Sequence, residues 1–367
     1  MTKDVYWMKR ALVLARKGLG TTFPNPMVGA IVLDSLGQKV GQGYHFKAGE
    51  SHAETIALEQ AGEKSKGGTL YVTLEPCCHT GRTPPCTEAI IKSGIQKVVM
   101  ATPDQNPLVK GLSTKILAQH GITVKVGCLQ SIAEKINRVF FNWIVHQRPY
   151  VVAKVAVTQD FKMGTRDSRL LISDPMMERT TMKLRKGANV LMVGVGTVLT
   201  DNPKLTARSV FEHPPTLLRA ILDPGLKTPV DAQLFKSSNP VWIFYDENHR
   251  DLDHEKVRVL SKQARLICLK ARSGGIFDPK DILKCFDHQL HGGILIEGGL
   301  KTLSHFHDAH LIDEWVIYIS HKRFSQFAQK SEALSLAFQS PFHLLLQSAI
   351  RRARDLEVVA TNVYRDH

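Results

Sequence analysis

Apolar residues recur along this chain in two rhythms, short continuous runs and a stripe every three to four residues, and the two alternate. Near the start, Met8, Ala11, Leu12 and Ala15 share one face and predict a helix over 4–17, with Asp4 as its cap and Gly18 as its stop. The run Ala30-Ile31-Val32-Leu33 predicts a strand, and a second strand is expected at 39–43. A helix is expected from His52 to Ala61, capped by Ser51. Strands at 69–74, 96–101 and 123–126 then alternate with helices at 87–93, 112–119 and 131–144. This alternation predicts an α/β unit of about 145 residues with a mostly parallel or mixed sheet.

Gln147-Arg148-Pro149 interrupts the pattern, which places a boundary between domains 1–146 and 147–367. Beyond it, the near-continuous apolar run 150–157 reads as a buried strand. Further strands are expected at 189–194, 220–223, 241–245, 265–269, 293–297, 314–320 and 357–364, with helices at 175–186 and 279–289. Two strands end in glycine turns, Gly194-Val195-Gly196-Thr197 and Glu297-Gly298-Gly299. Each is an ordinary turn or a cradle of backbone N–H groups for an anion. Neither is a G-x-G-x-x-G dinucleotide fingerprint.

Composition narrows the class. At 367 residues, 43% hydrophobic and 22% charged, the chain has the make-up of a globular protein of two or three domains. No apolar run reaches the length of a membrane span, and the first residues lack a signal-peptide pattern, so no membrane partner is expected. Six cysteines in a chain this long do not make a disulfide framework; with Cys128, Cys268 and Cys285 scattered, a reducing cytoplasm is expected. The net charge of +14 fits nucleic acid or an anionic small molecule. The basic residues are spread, and the densest group, Arg351-Arg352-Ala353-Arg354, reads as solvated surface.

The chemistry concentrates in His52-Ala53-Glu54 and in the stretch from Glu75 to Cys86. A lone histidine or cysteine is most often a core residue. Together, His52, Cys77 and Cys86 supply the N and S donors that Zn²⁺ prefers, and three protein ligands leave a catalytic zinc one open position. Glu54 is too close to His52 to share one ion with it and is placed instead to move protons beside the metal. The order H-x-E then P-C then C is that of zinc-dependent nucleobase deaminases. Eight residues separate Cys77 from Cys86, where two are usual, but ligands need only converge in space. Cys78 reads as packing. A structural zinc site would need a fourth ligand, and none is evident.

These residues carry a family resemblance. The first domain resembles the deaminase half of the bifunctional riboflavin-biosynthesis deaminase/reductases, through Pro24-Asn25-Pro26-x-Val28-Gly29, His52-Ala53-Glu54 and Pro76-Cys77-Cys78-His79-x-Gly81-Arg82-Thr83-Pro84-Pro85-Cys86. The second resembles the reductase half, through Thr197-Val198-Leu199-x-Asp201-Asn202-Pro203-x-Leu205-Thr206-x-Arg208 and Glu297-Gly298-Gly299. The fold implied is α/β throughout, a cytidine-deaminase-like three-layer domain followed by a dihydrofolate-reductase-like domain. The activity implied is hydrolytic deamination of a phosphorylated diaminohydroxypyrimidine, then NADPH-dependent reduction of its ribosyl group to ribityl. One Zn²⁺ per chain, NADPH and a homo-oligomeric state go with it.

The resemblance also assigns roles. Glu54 is the proton carrier and His52, Cys77 and Cys86 are the zinc ligands. Asn25 binds the pyrimidine, and His45, His79 and Arg82 are substrate contacts or solvated loop residues. In the reductase half, Ser168, Arg185, Leu205, Arg208 and Glu297 match substrate positions, the two arginines suiting a phosphate. Ala156, Leu170, Thr197, Asp201 and the run Gly299, Leu300, Lys301, Thr302, Leu303, Ser304 and His305 match cofactor positions. The chain departs from the family in two places: Phe161 stands where a glycine is usual, and 168–173 lacks the usual tryptophan. These departures leave open a deaminase with a silent second domain. The net charge leaves open a nucleic-acid deaminase, which the cysteine spacing and the second domain disfavour.

Overall fold

The computed structural model describes residues 2–79, 84–107, 109–164, 172–207, 216–272, 274–286, 292–326, 334–335, 344–352 and 354–362. The chain divides into two compact units, Met1–Gln147 and Arg148–His367.

The first unit is built on strands β1 (Gly29–Leu33), β2 (Lys39–Tyr44), β3 (Thr69–Val72), β4 (Lys97–Met100) and β5 (Thr123–Lys125), in the order β2-β1-β3-β4-β5. β1 runs antiparallel to both its neighbours, and β3, β4 and β5 run parallel. The sheet is therefore mixed. Helices α1 (Lys3–Ala15), α2 (Ala53–Ala61), α3 (Cys86–Lys92), α4 (Leu112–Gln119), α5 (Gln130–Ile136) and α6 (Arg138–His146) complete it. Two apolar clusters, one around Val32, Ala57 and Val98 and one around Met8, Ile31 and Val99, form its core. The stripe Met8, Ala11, Leu12 and Ala15 is buried as its spacing predicts.

Glycine in β2 sets how close α2 lies. A Cβ at Gly41 would sit 2.0 Å from the Ala57 carbonyl oxygen, and one at Gly43 2.4 Å from that of Ala53. Only bare backbone admits the helix there, and this helix carries Glu54 in its first turn.

Three local expectations differ from the structure. Thr2, not Asp4, caps α1, its Oγ1 accepting from Val5 N at 3.4 Å, while Asp4 accepts from Tyr71 and Lys125. His52, not Ser51, holds the N-cap position of α2, because its extended backbone starts the helix one residue later. The expected helix over 131–144 is two helices, broken at Asn137 (φ −99, ψ 18).

The second unit holds one long sheet in the order β11-β10-β9-β8-β12-β6-β13-β16-β15. Its strands are β6 (Tyr150–Val157), β8 (Val190–Gly194), β9 (Leu218–Leu222), β10 (Val241–Tyr245), β11 (Arg265–Cys268), β12 (Gly293–Glu297), β13 (Glu314–Ile319), β15 (Leu344–Arg352) and β16 (Asp355–Asn362). A separate short pair joins β7 (Lys162–Gly164) to β14 (Leu334–Ser335). From β11 to β13 every neighbour is parallel; β13, β16 and β15 are antiparallel. β8 and β12 lie inside the sheet between two apolar clusters, which is why they read as unbroken apolar runs. Helices α7 (Pro175–Gly187), α8 (Val195–Asp201), α9 (His254–Leu260), α10 (Pro279–Lys284) and α11 (Leu300–Asp308) connect them.

The helix expected over 279–289 ends at Lys284, and 287–291 lie outside the described residues. Strand β15 was not expected; it contains Arg351 and Arg352, and Arg352 donates to Glu357 at 3.4 Å, so the basic cluster is partly a paired strand edge. Among the described residues, no helix is long and apolar enough to cross a membrane.

Candidate active sites

In the first unit, β3 delivers Cys77 just past its end, α3 begins at Cys86, and α2 begins just after His52. The ends of the intervening loop are drawn together: Thr87 N donates to the Cys77 carbonyl at 3.2 Å, and Cys86 N donates to Cys77 Sγ at 3.3 Å. His52 Nδ1 lies 3.2 Å from Cys86 Sγ and 3.5 Å from Cys77 Sγ. All three donor atoms fall within 4.8 Å of one another, and His52, Cys77 and Cys86 are the one such group among the described residues. Tetrahedral zinc separates N and S ligands by about 3.5–3.8 Å, so the donor set fits that ion in type and spacing. Cys78 is outside the group.

The electrostatics agree. The Cys86 thiol donates to Cys77, and with His52 alongside it holds the Cys77 thiolate down at about 4 against the opposing effect of burial. Cys86 keeps the proton of the pair and is correspondingly raised. Glu54 is 4% exposed. Burial, then the Cys77 thiolate, pushes its carboxyl up to about 7, against the opposing pull of His52. A buried carboxylate beside two sulfurs and a histidine, with its pKa near neutrality, can take up and release a proton at the edge of a cation site.

Asn25 and His45 meet beside this cluster. Asn25 Nδ2 lies 3.0 Å from His45 Nε2, and His45 Nδ1 lies 3.2 Å from the Ser51 carbonyl. The amide donates to Nε2, so Nδ1 carries the proton and donates to Ser51. Burial lowers the pKa of His45 and keeps it neutral in this chain of bonds. Its ring stands edge-on to that of His52, centroids 5.4 Å apart. His79 is exposed on the loop. Arg82 lies outside the described residues.

The second candidate site gathers at the C-terminal ends of β6, β8 and β12. Gly194 starts α8 and Gly299 starts α11, with Gly298 and Gly299 both at φ +73. The two turns abut: a Cβ at Gly194 would lie 2.8 Å from Thr302 Oγ1, and one at Gly298 would lie 3.2 Å from Thr197 Oγ1. Paired glycine turns at the ends of adjacent parallel strands present backbone N–H groups to an anion. Leu300, Ser304 and His305 are half-buried and Lys301 is exposed, but Thr302 and Leu303 are buried, and the Leu303 side chain belongs to the core. Leu205 likewise packs into the apolar cluster around Val193 and Val198. Ala156 is half-buried on β6 beside Tyr318, and Asp201 closes α8.

Arg185 and Glu297 meet as a fork. Nε donates to Oε1 at 2.8 Å and Nη2 to Oε2 at 2.7 Å, while Nη1 donates to the Thr206 carbonyl at 2.8 Å. Both side chains are nearly buried. Against the effect of burial, Arg185 holds the Glu297 carboxyl below its usual range. Ser168, Leu170 and Arg208 lie outside the described residues.

Sequence reasoning missed Lys154. It sits at the centre of the sheet, in register with Glu297, with Nζ over the Tyr318 ring at 4.9 Å. Burial lowers its pKa. The signal was present: a lysine interrupts the apolar run of a central strand, where an amine is costly and is kept for a reason.

Comparison with known proteins matches both units. Residues 1–102 match the cytidine and deoxycytidylate deaminase zinc-binding region, and 149–329 match the RibD C-terminal domain. The chain is 43% identical over 322 residues to riboflavin biosynthesis protein RibD of Aquifex aeolicus (strain VF5), covering 87% of each. The structure of Acinetobacter baumannii RibD aligns at a TM-score of 0.82 and 32% identity, over 98% of this chain and 99% of that one. A Thermotoga maritima diaminohydroxyphosphoribosylaminopyrimidine deaminase/5-amino-6-(5-phosphoribosylamino)uracil reductase aligns at 0.83 and 32%, with the same coverage.

Proposed function

The chain belongs to the riboflavin biosynthesis protein RibD family, and from that premise we propose a division of labour among its residues. The protein is a bifunctional deaminase and reductase of riboflavin biosynthesis. Residues 1–146 carry the deaminase and 147–367 the reductase. The substrate is a diaminohydroxyphosphoribosylaminopyrimidine, whose amino group is hydrolysed before the ribosyl group is reduced to ribityl.

In the deaminase, His52, Cys77 and Cys86 hold Zn²⁺, a Lewis acid that makes water nucleophilic near neutral pH. Glu54 takes a proton from the attacking water and returns protons to the ring nitrogen and the departing ammonia. Asn25 binds the pyrimidine: one amide hydrogen is spent on His45, which leaves the other hydrogen and Oδ1 to read the ring edge. His79, exposed on the loop, is a further substrate contact, and Arg82 is assigned the same role by its match in sequence.

In the reductase, NADPH supplies the hydride. The glycine turns at Gly194 and Gly298, with Thr197 and the 299–305 segment, cradle its phosphates, with Ala156 and Asp201 as further cofactor positions and Leu170 assigned to it by sequence alone. Arg185, Glu297 and Lys154 orient the opened sugar; Ser168 and Arg208 are assigned to the substrate by their match in sequence alone, and Leu205 supports the site from the core. This chemistry needs positioning rather than a nucleophile.

The observation that carries the reading is the convergence of His52, Cys77 and Cys86 with buried Glu54 beside them. Incubating the purified protein with the pyrimidine, with and without NADPH, tests both halves: ammonia appears in either case and the ribityl product only with NADPH. Glu54→Gln is expected to keep its zinc and lose deamination by about 10²–10⁴-fold; wild-type ammonia release by that variant overturns the role. A cytoplasmic location is supported by six free thiols, two of them zinc ligands. A homo-oligomer is supported by the edge strand β15, which exposes Leu346 and Ile350, and light scattering tests it.

A further inference from the structure

Asn137 occupies the N-cap position of α6 and is 3% exposed. An asparagine there ordinarily turns its side-chain oxygen onto the first free N–H groups of its own helix. Thr2, Asp174, Asp253 and Asp278 do this at the starts of α1, α7, α9 and α10. Asn137 makes no such bond. Its Oδ1 accepts from Met27 N at 2.8 Å, and its Nδ2 donates to Met27 O at 2.9 Å. The side chain imitates a strand partner for one residue of a distant loop, and its helix start goes uncapped.

Met27 lies two residues beyond Asn25. The loop is fastened at its ends: Asn25 N donates to Thr22 O at 2.8 Å, His45 N donates to Val28 O at 2.9 Å, and Gly29 N donates to Thr73 Oγ1 at 3.1 Å. Pro24 and Pro26 have no N–H to offer. Between Asn25 and Val28, the backbone bonds found among the described residues are those to Asn137.

We propose that Asn137 is a positioning residue of the deaminase site, clamping the Met27 peptide so that Asn25 stands where it can bind the pyrimidine. The inference rests on the reading of Asn25 as a pyrimidine-binding residue. It explains why the polar residue at the α5–α6 break faces inward. Asn137 touches neither the metal ligands nor Glu54, so its effect falls on substrate placement.

The test is a cycle of Asn25→Ala, Asn137→Ala and the double variant, each assayed for deaminase KM and kcat, zinc content and reductase rate. Asn137→Ala is expected to raise the deaminase KM about tenfold, with stoichiometric zinc and an unchanged reductase rate. In the Asn25→Ala background it is expected to add little, because the clamp acts through Asn25. Asn137→Asp keeps an acceptor for Met27 N, lacks the donor for Met27 O, and should fall between the two. If the alanine variant fails to hold zinc, the aspartate variant is read in its place. A zinc-replete Asn137 variant whose KM stays within about twofold of wild type, while Asn25→Ala raises it, overturns this proposal alone. So does a full, additive effect in the double variant. An Asn25→Ala variant with unchanged KM overturns the reading beneath it.

Discussion

The two sites of this chain are built from different materials. In the first unit the working groups are side chains in mutual contact, with His52 Nδ1 at 3.2 and 3.5 Å from two sulfurs and Glu54 buried beside them. In the second, glycine turns at the ends of β8 and β12 abut, and the charged side chains are organised around one fork between Arg185 and Glu297. A metal centre demands particular elements, N and S, at particular distances, and so marks the sequence with residue types. A site that positions two small molecules demands shape, which many sequences can provide. The first should be brittle to a single atom and the second should degrade by degrees.

The largest expected effect follows at the metal ligands. Cys86→Ala removes one of three donors and leaves Cys77 and His52 too few to hold the ion. Deamination is expected to fall by about 10³-fold or more, several kcal/mol of Lewis-acid stabilisation, with bound zinc lost by metal analysis. The reductase rate should stay at the wild-type level, because the second unit has its own core. A Cys86→Ala protein with full zinc and ammonia release would erase the contrast between the sites.

The fork comes next. Arg185 and Glu297 are nearly buried, so removing one partner strands the other in a poor solvent, at a cost of about 3–5 kcal/mol. The structure predicts an order. Glu297→Leu takes the carboxylate away from both Arg185 and Lys154 and leaves no anion between them, whereas Arg185→Leu leaves Glu297 with Lys154 in register. Glu297→Leu should therefore be the more destabilising single change, and the double variant less destabilising than either. Melting of the three proteins reads the order directly; the reverse order would mean that Lys154 does not face Glu297.

Lys154→Met separates stability from function at the same place. The thioether fills the lysine's volume without a charge, so melting should stay level or improve by about 1 kcal/mol. On the role proposed for Lys154, the reductase rate should drop by about tenfold or more, the loss of one oriented polar contact to the substrate. Retained activity in a stable Lys154→Met protein would reduce the lysine to a packing residue.

What could be read from the chain alone follows the same division. His52, Glu54, Cys77 and Cys86 were legible because their chemistry restricts the residue type. The strands at 150–157, 241–245 and 293–297 were legible as near-continuous apolar runs, Lys154 being the one charged interruption. The break at Asn137 was not, since an asparagine inside an apolar stripe looks like a tolerated surface position until its partner 110 residues away is known. Arg185 and Glu297 were picked out singly, and their pairing depends on a helix and a strand that only the fold brings together. Leu303 and Leu205 were named for the site, yet the fold turns their side chains into the core.

The smallest expected effect tests the departure at Phe161. This residue ends the turn after β6 at φ +57, with Phe161 N donating to Thr158 O at 2.9 Å and its side chain 56% exposed. A non-glycine residue in the left-handed region costs about 1–2 kcal/mol. The turn is held in spite of this, Lys162 N donating to Thr158 Oγ1 and Phe324 N to Asp160 Oδ1, both at 2.9 Å. Glycine would relieve the strain but would loosen the unfolded chain by about 0.5–1 kcal/mol. Phe161→Gly should therefore stabilise the second unit by no more than about 1 kcal/mol, a shift of a few degrees in its melting. Its bearing on the reductase is read by titrating NADPH and following nicotinamide fluorescence. An affinity unchanged by the substitution makes the phenylalanine a tolerated strain. A tighter one shows that it weakens the cofactor site. Loss of binding shows that the exposed ring is a cofactor contact, an aromatic face in a domain that lacks the family's usual tryptophan. No binding by either protein up to millimolar NADPH would leave the chain a deaminase with a silent second domain.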